Sequence, residues 1–355
     1  MNLLNELQPG RTLAAVMREY YNSVLQLLIS EEAFQRIEKL GVLFPVDSSS
    51  FWGYEIPLSS SKKAADFLLC IHKPDRFKDL FSSNPWFNST DVVNGADYEK
   101  FQKFSLQWAG NKKKLREAVS NIWFEYDCSD NSDIIPSPNF FYAPAEGLNS
   151  LALVYITYFV FDAILQQKTE KHTYSLLLKC IELLEGKGWV SQIGMMLARK
   201  EQCFRLFIQN IPKFGILPFL KKLNYKYAEN ADLEVQLNIC YNCCKRVDLD
   251  IDIRFEIGKK IGLECYFDSN EQAIYFLRML YEKQICQADK YLLVQDYLES
   301  ICFDRSKEFQ AFFSHIKLIY CPGAGFVAKA YVGYAESGMA RQIIRTKPVK
   351  TNLYA

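Results

Sequence analysis

Carboxylates at alternate positions are the first residues here that could do chemistry. In Val247-Asp248-Leu249-Asp250-Ile251-Asp252-Ile253-Arg254-Phe255, strict alternation puts the apolar side chains on one face of an extended segment. Asp248, Asp250, Asp252 and Arg254 share the other face. Carboxylates at this spacing are compatible with a hard divalent cation, a basic substrate or solvent. The same parity elsewhere groups Trp123 with Glu125 and Asp127, Arg205 with Phe207 and Gln209, Glu264 with Tyr266, His315 with Lys317, and Lys329 with Tyr331. Common nucleotide and hydrolase signatures are missing: there is no GxxxxGK[ST], HExxH, GxSxG or strand-linked GxGxxG. His72 and His172 lack a sequence partner and read as structural histidines.

These side chains need strands to hold them, and the chain supplies strands in a repeating order. Two short alternating runs followed by a helical stretch recur at a period of about 60–70 residues, the mark of one repeated supersecondary unit. The paired runs begin near Trp52, Ile122, Trp189, Val247 and His315. Helical spacing fills Leu13 to Ile29, Phe101 to Val119, Leu151 to Leu184, Ile216 to Cys240 and Glu271 to Leu298. Short connections inside each pair, such as Pro322-Gly323-Ala324-Gly325, require antiparallel neighbours. Five hairpins closed into one barrel would leave no exposed edges, with helices outside and polar faces inside. Eight strands are about filled by their own side chains, so ten should leave a ligand cavity. The expected fold is therefore an α/β ten-stranded antiparallel barrel built from five αββα repeats.

Composition narrows the function classes. Hydrophobic residues at 49% and charged residues at 23% describe a globular chain. No Pro/Gly/Ser-rich linker interrupts it, so residues 1–340 read as one domain and 341–355 as a basic tail. Balance between 42 basic and 41 acidic residues gives no bulk electrostatic support for a nucleic-acid or membrane partner, and neither is expected. Met1 to Tyr20 is broken by Glu6, Arg11, Arg18 and Glu19 and does not read as a secretory signal. A cytoplasmic setting and reduced thiols follow for the eleven cysteines, including the Cys240, Cys243, Cys244 and Cys265 group. That group lacks a second CxxC or a Cys/His pair at ligand spacing and reads as small core residues.

Lys329-Ala330-Tyr331 looks like the lumen-facing K-x-Y strands of the fungal indole prenyltransferases, and Lys317 is similar in placement. With the order of elements along almost the whole chain, it resembles the aromatic prenyltransferases of the ABBA or PT-barrel family. That family includes indole and cyanobactin-peptide enzymes. The resemblance implies transfer of an isoprenoid group from a diphosphate donor to an aromatic, small-molecule or peptide acceptor in specialised metabolism. Cations must then balance the departing diphosphate, aromatic faces must shelter an allylic cation, and a base must serve the acceptor. Arg205, Lys317 and Lys329 would supply the first, with Tyr331 and Tyr266 donating hydrogen bonds. Trp123, Phe207, Tyr266 and Tyr331 would supply the second, and Glu125 or Glu264 the third.

Acids on the expected inner face outnumber bases. Glu125, Asp127, Asp248, Asp250, Asp252 and Glu264 stand against Arg205, Arg254, Lys317 and Lys329. Mg2+ held by Asp250 and Asp252 would offset the repulsion of a diphosphate. The alternative is a non-catalytic barrel that binds a metabolite or peptide as an accessory biosynthetic factor, its carboxylates tied up by the same cations. A third reading is a helix-rich scaffold whose hairpins never close.

Overall fold

The computed structural model describes residues 11–72, 80, 95–110, 113–128, 136–165, 171–198, 203–304 and 306–337. Ten strands close into one antiparallel barrel, which excludes the open scaffold. They are β1 (Phe51–Pro57), β2 (Asp66–Ile71), β3 (Val119–Tyr126), β4 (Asn139–Pro144), β5 (Trp189–Met195), β6 (Phe204–Gln209), β7 (Arg246–Ile253), β8 (Ile257–Tyr266), β9 (Phe309–Cys321) and β10 (Gly325–Glu336). Consecutive strands are neighbours throughout, and β1 closes the ring on β10. This is the expected PT-barrel architecture. The basic tail at 341–355 and the turn at 199–202 lie outside the described residues.

Alternation decides which side chains meet the helices. Trp52, Tyr54 and Ile56 of β1, Ile122, Phe124 and Tyr126 of β3, and Leu249 and Ile251 of β7 are fully buried in the main apolar core. Phe101 of the helix Gly95–Ala109 stacks on Phe140 at 5.6 Å and meets Phe124 edge-on at 5.0 Å. Aromatic pairs of this kind add to the burial of apolar surface that fixes each helix to its hairpin.

Each of the five expected helical stretches is two helices: Phe101 to Val119 falls on Gly95–Ala109 and Lys113–Ala118, and Ile216 to Cys240 on Ile216–Lys222 and Ala231–Cys243. Leu13–Tyr20 stops at Tyr21, and Asn22 caps Ser23–Leu28 by accepting the Leu25 N–H at 3.0 Å. Leu151 to Leu184 divides into Ser150–Leu165 and Lys171–Leu184, and Glu271 to Leu298 into Asn270–Glu282 and Ala288–Ser300. The helix Glu31–Gly41, capped by Ser30, stands outside the expected set. β9 starts at Phe309, six residues before His315 (315 − 309), and a bulge at Tyr331/Val332 re-phases it against β10. No described helix is long and apolar enough to cross a membrane.

Candidate active site

The inward faces form two layers. Towards the end of the barrel away from the hairpin turns lies a cavity of about 340 Å³, the space that a ten-stranded barrel should leave. Its walls carry Phe51, Trp123, Phe207, Tyr266, Phe312 and Tyr331, with Glu125, Glu264 and His315 among them. Phe51 meets Trp123 at 4.9 Å and Phe312 at 5.2 Å, and His315 lies between Tyr331 at 4.2 Å and Tyr266 at 4.9 Å. Gly333 makes room for the Phe51 and Phe312 rings, since a Cβ there would stand 2.9 Å and 2.8 Å from their ring tips.

Beneath the aromatic walls lies a layer of ions. Arg205 on β6 makes a two-pronged bond to Asp252 at 2.8 and 3.1 Å and reaches Asp250 at 3.3 Å. Lys317 on β9 contacts Asp250 and stands 3.6 Å from Glu264. Its ammonium also lies 4.9 Å over the Phe207 ring, a cation–π contact that joins the two layers. Lys329 and Tyr331 on β10 both donate to Glu55 on β1, and Asp66 on β2 lies 3.9 Å from Lys329. Arg246 pairs with Asp248 at 3.0 Å and covers the Tyr266 ring at 4.1 Å.

Burial in a low-dielectric interior sets the protonation of these groups. Glu125 is pushed up to about 7, first by desolvation and then by the charge of Glu55. It makes no hydrogen bond or ion pair among the described residues. Glu264 also rises to about 7 by desolvation, despite Lys317, and accepts the Tyr266 hydroxyl at 3.0 Å. Asp66 rises to about 8 through desolvation and Glu55, whereas Lys329 and Lys317 hold Glu55 below the usual range against its own desolvation. Desolvation, Lys317 and Arg246 keep His315 neutral, and its buried Nε2 lacks a hydrogen-bond partner 3.8 Å from Glu264.

The expected residues therefore divide between the layers. Trp123, Phe207, Tyr266, Tyr331, Glu125 and Glu264 line the cavity together, while Arg205, Lys317 and Lys329 lie below it in ion pairs. Arg254 falls beyond the end of β7, so it is not part of the inward face of a strand. Glu55 is the chief residue that strand reading missed. It sits in β1, the faintest of the hairpin runs, but the outward set Trp52, Tyr54 and Ile56 already leaves Phe51, Gly53 and Glu55 on the inner parity. Asp66, Arg246 and Phe312 were missed with it.

The two expected magnesium ligands, Asp250 and Asp252, are engaged by cationic side chains in the ligand-free lumen. Asp250 and Asp252 both face Arg205, and Asp250 also holds Lys317, so their oxygens already answer to cationic side chains. Among the described residues no group of three or more His, Cys, Asp or Glu could hold a metal ion. The thiol group is likewise a packed one: Cys240 and Cys265 are buried and Cys243 and Cys244 partly so, all as free thiols.

No protein-family model and no curated protein matches this chain. Solved structures do. It is similar to 5-dimethylallyltryptophan synthase from Streptomyces coelicolor at 7% identity and a TM-score of 0.51, covering 91% of this chain and 97% of that one. AnaPT from Neosartorya fischeri matches at 12% identity and 0.52, covering 91% and 90%. NotF prenyltransferase matches at 10% identity and 0.55, covering 94% and 98%. A closed ten-stranded barrel that superposes on these enzymes over nearly its whole length gives the chain the PT-barrel, or ABBA, fold of the aromatic prenyltransferases.

Proposed function

We propose that this barrel transfers an isoprenoid group from an allylic diphosphate to an aromatic acceptor held in the lumen. One observation carries the reading: an aromatic-walled cavity with two carboxyls on its wall rests directly on a layer that holds two lysines and an arginine. The names of the structural relatives support it, since they describe enzymes of that reaction class.

In this reading the carbon–oxygen bond of the donor breaks, and the electron pair leaves with diphosphate towards Lys317, Lys329 and Arg205. The rings of Trp123, Phe207, Tyr266 and Tyr331 shelter the allylic cation while an acceptor atom attacks it. The proton released by the acceptor goes to Glu125 or Glu264, whose affinities near neutrality suit a general base. Asp250 and Glu55 occupy the cations before the donor arrives and must turn aside. Asp66 and whichever of Glu125 and Glu264 is not the base can hold protons near neutral pH, which lowers the repulsion that their charges would impose on the diphosphate.

A second reading keeps the cavity and drops the chemistry: a barrel that binds an aromatic metabolite or peptide without turnover. The pairing of every lumen cation named above with a carboxylate favours it. Incubation with dimethylallyl or geranyl diphosphate and a panel of tryptophan, tyrosine and peptide acceptors, read by mass spectrometry and thermal shift, separates the two. Prenylated product supports transfer. Stabilisation by an acceptor alone, with neither product nor response to diphosphate, supports binding only.

A further inference from the structure

The barrel wall is split at one end, between β4 and β5. Their ladder consists of Phe140↔Met195, Phe141↔Gly194 and Tyr142↔Ile193 and then stops. Beyond that point each strand keeps its other neighbour: Ala143 and Pro144 still pair with β3, and Trp189 and Val190 with β6. Two residues explain the split. Pro144 has no N–H to give to a ladder, and a bulge between Val190 and Gln192 puts Ser191 out of register. Two strand edges thus face each other across a gap without pairing.

Beside that gap lies a groove of about 880 Å³. Its apolar lining comes from Leu153, Ile181, Leu184 and Val190, and from Trp189, which is half exposed. Glu146 and Glu185 are its only charged lining residues among those described. Ser191 on β5 and Gln209 on β6 line both this groove and the aromatic cavity of the lumen, so the two spaces share a wall at this end of the barrel, beside the split.

We infer that the β4–β5 split is the seat of an extended peptide, neutral or basic in charge, whose aromatic side chain enters the lumen past Ser191 and Gln209. Unpaired strand edges offer backbone donors and acceptors at the spacing of another strand, which a peptide matches and a hydrocarbon chain does not. The two carboxylates favour lysine or arginine beside the aromatic residue and disfavour acids. This deepens the preceding reading by naming the acceptor class, and it rests on that reading only for the statement that the bound residue is then prenylated.

The test is a binding measurement without donor. Fluorescence anisotropy compares a capped peptide with one tryptophan flanked by lysines, the same peptide with glutamates, and N-acetyltryptophanamide as competitor. The lysine peptide should bind about fivefold more tightly than the glutamate peptide, the scale of two exposed ion pairs. Glu146→Lys with Glu185→Lys, both at the groove surface, should reverse that order while leaving competition by N-acetyltryptophanamide unchanged. Equal affinity for the two peptides, or displacement of the lysine peptide by a long-chain prenyl alcohol with no effect of the charge reversal, would overturn the assignment. Peptide binding without prenyl transfer would leave this inference standing and remove the enzymatic reading. Transfer to free tryptophan without peptide binding would do the opposite.

Discussion

Lys317 stands directly opposite Lys329 in the β9–β10 ladder, yet the two ammonium groups turn to different carboxylates, Asp250 on β7 and Glu55 on β1. Like charges at paired positions destabilise a sheet unless each is compensated. A shared anion between them would do the same work as the two acids. The lysines and arginine of the ligand-free lumen are therefore each held in an ion pair.

Removing one partner exposes how costly that set is. Lys329→Ala leaves Glu55 buried with no cation in contact, only the Tyr331 hydroxyl and the Asp66 carboxyl beside it, and breaking a buried pair in this way costs about 3–5 kcal/mol. Urea unfolding should show that loss. Adding Glu55→Gln to the same chain should restore most of it without restoring diphosphate binding. If the double variant were as unstable as the single one, the buried charge would not be the cause.

Stability should fall as pH rises from about 4.5 to about 7, because Glu125 and Glu264 hold protons in the folded state that the unfolded chain has already released. With more protons bound to the folded form, the slope of unfolding free energy against pH is negative across that window. Asp66, raised to about 8, and Asp248, raised to about 6, act in the same direction, and Glu125→Gln removes one of these contributions. Its melting temperature should match the parent near pH 4.5 and exceed it by roughly 2–5 °C at pH 8. A variant less stable than the parent at pH 8 would contradict the unpaired placement of that carboxyl.

The legibility of this site in the sequence followed the strength of alternation. β7 alternates without a break, and its three aspartates lie where the pattern put them, as do Arg205, Phe207, Glu264 and Lys317. β1 is short and aromatic on both faces, so Glu55 carried no visible polar pattern of its own. Pairing could not be read either. Which cation meets which carboxylate depends on how strands far apart in the chain stand in register, as with Lys329 and Glu55, which are 274 residues apart. The cap at Asn22 that divides the first helical stretch is a local signal, and was readable in principle.

Gly262 sits opposite Asp250 in the β7–β8 ladder, where a Cβ would fall 2.7 Å from Lys317 Cε and 3.0 Å from Asp250 Cβ. Gly262→Ala should therefore push Lys317 off its path to Asp250, at an overpacking cost of about 1–3 kcal/mol. Diphosphate affinity should fall while binding of an aromatic acceptor in the upper layer persists. An unchanged diphosphate affinity would remove Lys317 from the donor site.

For prenyl transfer in this lumen the ion layer must open to receive a diphosphate beneath the aromatic walls. The most direct measurement is a crystal structure with a non-reactive thiolo analogue of dimethylallyl diphosphate. Diphosphate oxygens should lie within hydrogen-bond distance of Lys317 and Lys329, the prenyl chain against Trp123 and Phe207, and the carboxylates of Glu55 and Asp250 turned away. An analogue bound outside the barrel, with Lys317 still on Asp250 and Lys329 still on Glu55, would contradict it.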